Sequence, residues 1–208
     1  MGIPVLILGE SGSGKSTSLR NFEENEVKVL NVASKPLPFR KQLPVVNHAG
    51  YKAIFAELRN AEQSGVKKFV IDDSQYLMCF EMFAKCKETG YTKFTDTAKH
   101  FYDLIQLVIN STPNDCIVYF LHHTEQGENG KTKAKTSGKM LDSQLTLEGL
   151  FSIVLMSYTD GQNYKFITQS DGTTTVKSPM EMFNREIDND LKFVDDTIRE
   201  YYNLKGNE

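Results

Sequence analysis

The stretch LGESGSGKSTSLR, Leu8 to Arg20, contains the spacing Gly9-x-x-x-x-Gly14-Lys15-Ser16. Those residue types at that spacing suit one task, holding a polyphosphate. Gly9, Gly12 and Gly14 lack a Cβ and permit the backbone angles that turn successive N–H groups inward around an anion. Lys15 has the reach for β- and γ-phosphates, and the Ser16 hydroxyl suits Mg²⁺. The expected nucleotide contacts are Gly9, Glu10, Ser11, Gly12, Ser13, Gly14, Lys15, Ser16 and Thr17, with ATP and Mg²⁺ as ligands. A flexible Gly/Ser linker shares the composition. A linker would not follow a buried-looking strand (IPVLIL, Ile3 to Leu8) and lead into Lys-Ser-Thr, where a helix from Lys15 to about Phe22 is expected.

A second group of candidates is acidic. Phe69 to Asp73 (FVIDD) is an apolar strand running into two carboxylates. Asp72 is placed to hold the Mg²⁺, directly or through water, and Asp73 to position or deprotonate an attacking water. The plain alternative is a turn after a strand, which Asp-Asp-Ser favours. A third group follows the strand Cys116 to Leu121: His122, His123, Thr124 and Glu125. Adjacent residues on an extended chain point to opposite sides, so the two His side chains do not suit one metal ion. Either His122 or His123 is expected to sense the γ-phosphate, and the sequence leaves the choice open.

Basic residues come next. Gln126 to Ser137 (QGENGKTKAKTS) is expected to be a mobile loop carrying Lys131, Lys133 and Lys135. Such loops are usually just solvated. One wired to a phosphate sensor is suited to gripping single-stranded DNA in one nucleotide state. Lys139, in TSGKMLD, is a candidate finger toward the ATP of a neighbouring subunit.

The elements that must position these groups alternate. Strands are expected at Ile3–Leu8, Val27–Val32, Lys68–Ile71, Cys116–Leu121, Leu150–Tyr158 and Tyr164–Gln169. The last two are joined by a hairpin at TDGQN. Helices are expected at Tyr51–Ser64, ended by Gly65, at Tyr76–Lys87, and at Thr95–Ile109. The last of these would have Thr95 as cap and Phe94 as staple. A final helix is expected from about Asp190 to Tyr202. Continuous apolar strands alternating with helices predict an α/β fold, a mainly parallel sheet with helices on both faces. Ligands on such sheets lie beyond the carboxyl ends of the strands.

Composition sets the bounds. The 208 residues are 39% hydrophobic and 25% charged, with net charge −3, so any nucleic-acid contact needs a local basic patch. One domain over 1–208 is expected, with a core over about 1–160 and a C-terminal hairpin and helix over about 161–204. Cys79, Cys86 and Cys116 have no metal-ligand spacing and read as reduced thiols of a cytoplasmic protein. No apolar run approaches membrane-spanning length, and MGIPVLILGE has no basic region that would make it a signal peptide.

The motifs GESGSGKST, VIDDSQYLM, KFTDTAKHF, YFLHHTE and SGKMLD, in this order, resemble the small phage-encoded RecA-like P-loop ATPases of the ATP-binding and single-strand-annealing recombinase group. The resemblance implies a three-layer RecA-like core in which Cys116–Leu121 lies between the phosphate-loop strand and the Asp72 strand. It also implies binding of ATP and single-stranded DNA, work alongside a single-strand-binding protein in recombination or replication, self-association as a ring or filament, and the host cytoplasm as compartment. The chain departs from the pattern after the second strand, where NVASKPLPF lacks the usual catalytic Glu. Asp73 or Glu125 then has to serve, or hydrolysis is slow. Two other functions compete: a nucleotide-switched binding module with little turnover, and a small nucleotide kinase. The kinase case is weakened by the absence of arginine from the lid-like segment.

Overall fold

The computed structural model describes residues 1–138 and 140–204. Its strands are β1 (Ile3–Gly9), β2 (Lys28–Asn31), β3 (Val45–Asn47), β4 (Lys68–Asp72), β5 (Ile117–Gln126), β6 (Thr132–Ala134), β7 (Ile153–Thr159), β8 (Tyr164–Ile167) and β9 (Glu186–Asp188). They form a nine-stranded sheet of order β3-β2-β4-β5-β1-β7-β8-β9, with β6 paired to β5. The run from β3 to β7 is parallel; β8 and β9 add on antiparallel. The molecule is therefore α/β with a mostly parallel, mixed sheet. β5 lies between β1 and β4, the order that the resemblance implies.

The strands are apolar on both faces because both faces are covered. Leu6 and Leu8 of β1 and Val118 and Phe120 of β5 point into one core. There they meet α1 (Tyr51–Arg59), α3 (Gln75–Ala84) and α4 (Thr92–Ser111). Val5, Ile7, Ile117, Tyr119 and Leu121 point into the other, against Leu19, Phe22 and α5 (Leu191–Tyr201). Each fully buried Leu, Ile, Val or Phe contributes about 1.5–3 kcal/mol relative to exposure. Alternation of side chains along each strand thus builds both layers at once.

Polar groups fix α5 to the sheet. Asp190 caps it by accepting from the N–H groups of Lys192 and Phe193. Asp195 is fully buried and meets Tyr119 Oη at 2.8 Å, Arg199 Nε at 2.8 Å and Lys68 Nζ at 3.0 Å. Arg199 also donates to the carbonyls of Asp115 and Lys67 at the start of β5 and β4.

Several expectations are corrected. The segment after the phosphate loop is a six-residue 3₁₀ helix, Ser16–Asn21, and not a longer α-helix. Ser and Thr are weak helix formers, and the chain leaves at Phe22 in extended conformation. The helix expected over Tyr51–Ser64 breaks at Asn60 into α1 and a short α2 (Ala61–Ser64), and Gly65 ends it at φ 71°. The long helix starts at Thr92, so Thr95 is no cap. The break before it is Gly90, at φ 88°, and the chain coils directly afterward. β5 runs through the histidines to Gln126, and β6 folds back on Thr124–Gln126, so Gln126–Ser137 is a hairpin where a mobile loop was expected. Its turn contains Asn129-Gly130, a hairpin signal that the sequence displays. β3 and β9 have three residues each, too few for a period, and were not expected. Among the described residues no helix is long and apolar enough to cross a membrane.

Candidate functional site

The loop between β1 and the 3₁₀ helix takes its shape from glycine. Gly12 and Gly14 sit at φ 81° and 96°. A Cβ at Gly14 would lie 2.6 Å from Tyr164 Cδ1, and one at Gly9 would lie 2.4 Å from Ser13 Oγ. Neither position admits a side chain. The loop is braced from beneath: Ser157 Oγ donates to the Ser13 carbonyl at 2.6 Å, and Asn189 Nδ2 donates to Ser157 Oγ at 3.0 Å. Arg20 joins the following turn to the Asn189 carbonyl at 2.6 Å.

Lys15 is buried and donates to the carbonyls of Gly9 and Glu10, both at 2.8 Å. Burial draws its ammonium down to about 8, with Asp73 and Asp72 opposing. It remains mostly charged at neutral pH and is held by the same loop that would surround an anion. Ser16 Oγ donates to Asp72 Oδ1 at 2.9 Å. The Asp72 carboxyl is pushed up to about 6 by burial and then by the adjacent Asp73 charge, against the pull of the Ser16 hydrogen bond.

Asp73 stands at φ 62°, a left-handed conformation that a non-glycine residue adopts at a cost. The turn aims its carboxylate at two donors. Lys35 Nζ lies 2.7 Å from Oδ2, and His123 Nε2 lies 3.1 Å from Oδ1. Burial alone would raise this carboxyl; the hydrogen bonds from His123 and Lys35 outweigh it and hold it down at about 2.

These groups border a single cleft of about 330 Å³. Ser11, Gly12, Gly14, Lys15, Ser16 and Thr17 line it, and Asp72, Asp73, Lys35, His123 and Tyr164 close it. Its place beyond the carboxyl ends of β1, β4 and β5 is where parallel sheets bind ligands. The residues fit a nucleotide with Mg²⁺. Two glycine positions that leave no room for a Cβ shape a hollow that would admit an anion beside a buried ammonium. Ser13 Oγ is buried at the same loop without a partner among the described residues. Ser16 and Asp72 offer the hydroxyl and lone carboxylate that Mg²⁺ takes when water and phosphate supply its other ligands.

No protein-family model matches the chain, and no curated protein matches it. The site is read from its own chemistry.

The structure separates the two histidines. His122 is fully buried on the side of α4. Its Nε2 contacts the Lys135 carbonyl at 2.8 Å and its Nδ1 contacts Ser74 Oγ at 2.9 Å. Burial draws it down to about 4, so it is neutral at pH 7. The carbonyl requires the proton on Nε2, and Nδ1 then accepts from Ser74. His123 points the other way, into the cleft, with its ring 5.3 Å from that of Tyr76. Glu125 does not line the cleft and lies 3.7 Å from Lys133 Nζ.

Lys131, Lys133 and Lys135 are alternate residues on and beside β6 and so share one face of the ribbon. Lys131 and Lys135 are exposed. Lys133 is half-buried and ion-paired with Asp142. Lys139 lies outside the described residues. Sequence reasoning missed Lys35, Ser74, Ser157, Tyr164 and Asn189. Lys35 had a usable signal, its place just past the carboxyl end of β2. Ser74 had one too, its place next to Asp73 in the same turn; the other three reach the site through strand pairing and have no local signature.

Proposed function

We propose that the chain is a Mg²⁺-dependent ATP-binding protein with a slow ATPase activity, in which the nucleotide controls a grip on single-stranded DNA. The observation that carries the reading is the Lys15–Ser16–Asp72 constellation on a loop whose Gly9 and Gly14 leave no room for a Cβ. The RecA-like core and the partnership with a single-strand-binding protein belong to this reading through the motif resemblance and the order of β1, β5 and β4.

The chemistry follows from the side chains. Lys15 exchanges two carbonyl contacts for phosphate oxygens. Ser16 and Asp72 would hold Mg²⁺, which would neutralise charge on those oxygens. Asp73 orients water more readily than it takes a proton, because a carboxyl held at about 2 is a weak base. Turnover is then slow unless Lys35 or His123 moves away. His123 connects the cleft to β5, and the Lys135 N–H donates to the His123 carbonyl at 2.9 Å. A shift of His123 on nucleotide binding is thereby passed to the hairpin bearing Lys131 and Lys135.

The second reading, a switched binding module without useful turnover, is favoured by one observation. Both oxygens of Asp73 are engaged. A nucleotide kinase is less well supported, as no arginine lines the cleft. ATP hydrolysis with and without single-stranded DNA, beside a panel of phosphate acceptors, tests all three. DNA-stimulated release of phosphate supports the proposal. Tight nucleotide binding without turnover in any arm favours the module.

A further inference from the structure

Helix α3 carries an aromatic pair next to the Lys15 cleft. Residues four apart share a helix face. Tyr76 and Phe80 stack there, with ring centroids 5.5 Å apart and an interplanar angle of 7°. Every other aromatic pair among the described residues is tilted or edge-on. A parallel pair covers one face of each ring. Phe80 is nevertheless 48% exposed, so its second face is open to solvent. The ring also borders a hollow of about 300 Å³, lined with Val32, Ala49, Tyr51, Leu77 and Glu81.

The step is held from behind. Tyr76 is half-buried, and its ring lies 5.3 Å from that of His123, which borders the Lys15 cleft. Lys35 Nζ lies over the Tyr76 ring, 5.1 Å from its centroid. The Lys35 side chain pairs with Asp73 yet stays 60% exposed, so a cation faces solvent beside the rings. The His123 carbonyl accepts from the Lys135 N–H at 2.9 Å, which sets the step next to the hairpin of the exposed Lys131 and Lys135.

An open ring face with a cation beside it suits a flat partner that carries negative charge. A cationic peptide meets Lys35. An apolar side chain of another protein gains most in a groove, whereas an outward ring offers it one face. Single-stranded nucleic acid has both parts required: unpaired bases extend an aromatic stack, and its phosphates pair with lysine.

We propose that Phe80, backed by Tyr76, is a stacking step for one base of single-stranded nucleic acid, and that Lys35 takes a phosphate of the same strand. The step rests on the single-strand reading above. It is blind to sequence, because every base has a π-face.

The test is the anisotropy of a labelled oligodeoxyadenylate, and of the same strand made abasic, with a non-hydrolysable ATP analogue or with ADP. Wild type is compared with Phe80→Ala, Phe80→Leu and Phe80→Tyr. The Ala and Leu variants are expected to bind the base-bearing strand about 5- to 100-fold more weakly, since Leu keeps apolar bulk without a flat face. Phe80→Tyr keeps wild-type affinity, and all four proteins bind the abasic strand alike. Melting curves, expected close to wild type because the ring is half exposed, separate lost stacking from unfolding. Lys35→Ala should flatten the log K against log salt slope by about 0.7, and an unchanged slope removes Lys35 from the site. Wild-type binding by Phe80→Leu, or an equal loss on both strands, overturns the stacking step and leaves the single-strand reading intact. If wild type binds neither strand in either nucleotide state, that reading and the step fall together.

Discussion

His123 Nε2 donates to Asp73 Oδ1 at 3.1 Å, across 50 residues of sequence. The next residue, His122, faces the opposite way and joins Ser74 to the Lys135 carbonyl. Two adjacent imidazoles thus grip the Asp72–Asp73–Ser74 turn from both sides of β5. The same strand ends in the hairpin that carries the exposed lysines. The cleft beside Lys15 and the hairpin are therefore linked by a short, stiff route.

Loss of the phosphate grip is the most direct expectation. Lys15→Ala removes charged hydrogen bonds worth about 1.5–3 kcal/mol each, so affinity for a fluorescent ATP analogue should fall at least about 10-fold. Gly14→Ala should fall similarly, since its Cβ would meet Tyr164 at 2.6 Å. Wild-type titration curves for both variants would remove the nucleotide reading.

Lys35 restrains Asp73. Lys35→Ala removes one of the two hydrogen bonds that hold the carboxyl low, so its proton affinity rises. The ATPase rate is expected to increase, with the acid limb of the pH–rate profile moved upward. Asp73→Asn should slow turnover and leave nucleotide bound. Hydrolysis by Asp73→Asn at the wild-type rate would place the water-orienting group elsewhere.

His122 makes stability depend on pH. Its folded-state value of about 4 lies below the ordinary 6.5. Between those values the unfolded chain binds a proton that the folded chain refuses. Stability is then full above about 6.5 and declines as pH falls toward 4. At about 1.36 kcal/mol per pH unit the total is about 3 kcal/mol. Urea unfolding at a series of pH values should show the decline, and His122→Gln should flatten it in this window. An unchanged slope in that variant would assign the decline to other groups.

The hairpin lysines are expected to act unequally. Lys131 and Lys135 are exposed, whereas Lys133 is ion-paired with Asp142. Replacing Lys131 and Lys135 together by Ala should flatten the log K against log salt slope for single-stranded DNA by about 1.4, at about 0.7 per phosphate contact. Lys133→Ala should change it little. Equal effects at all three positions would mean that the Lys133–Asp142 pair opens on the DNA.

The sequence alone determined the glycine loop before Lys15, the apolar strands and the place of Asp72 at a strand end. Each is local: closely spaced glycines before Lys-Ser, and continuous apolar runs of the length of a strand buried on both faces. The final helix from about Asp190 and the hairpin at TDGQN were legible for the same reason. Short β3 and β9 were not, because three residues show no period. What only the tertiary structure decided depends on pairing across the sheet. The register of β5 on β4 separates His123 from His122 as cleft residue. Lys35 reaches Asp73 from the end of β2, 38 residues away. Tyr164 meets Gly14 because β8 folds back on β7, and Tyr51 and Glu81 share a cavity because α1 and α3 cover the same face of the sheet. Contacts of this kind are set by burial of two sheet faces at once, and no stretch of neighbouring residues encodes them.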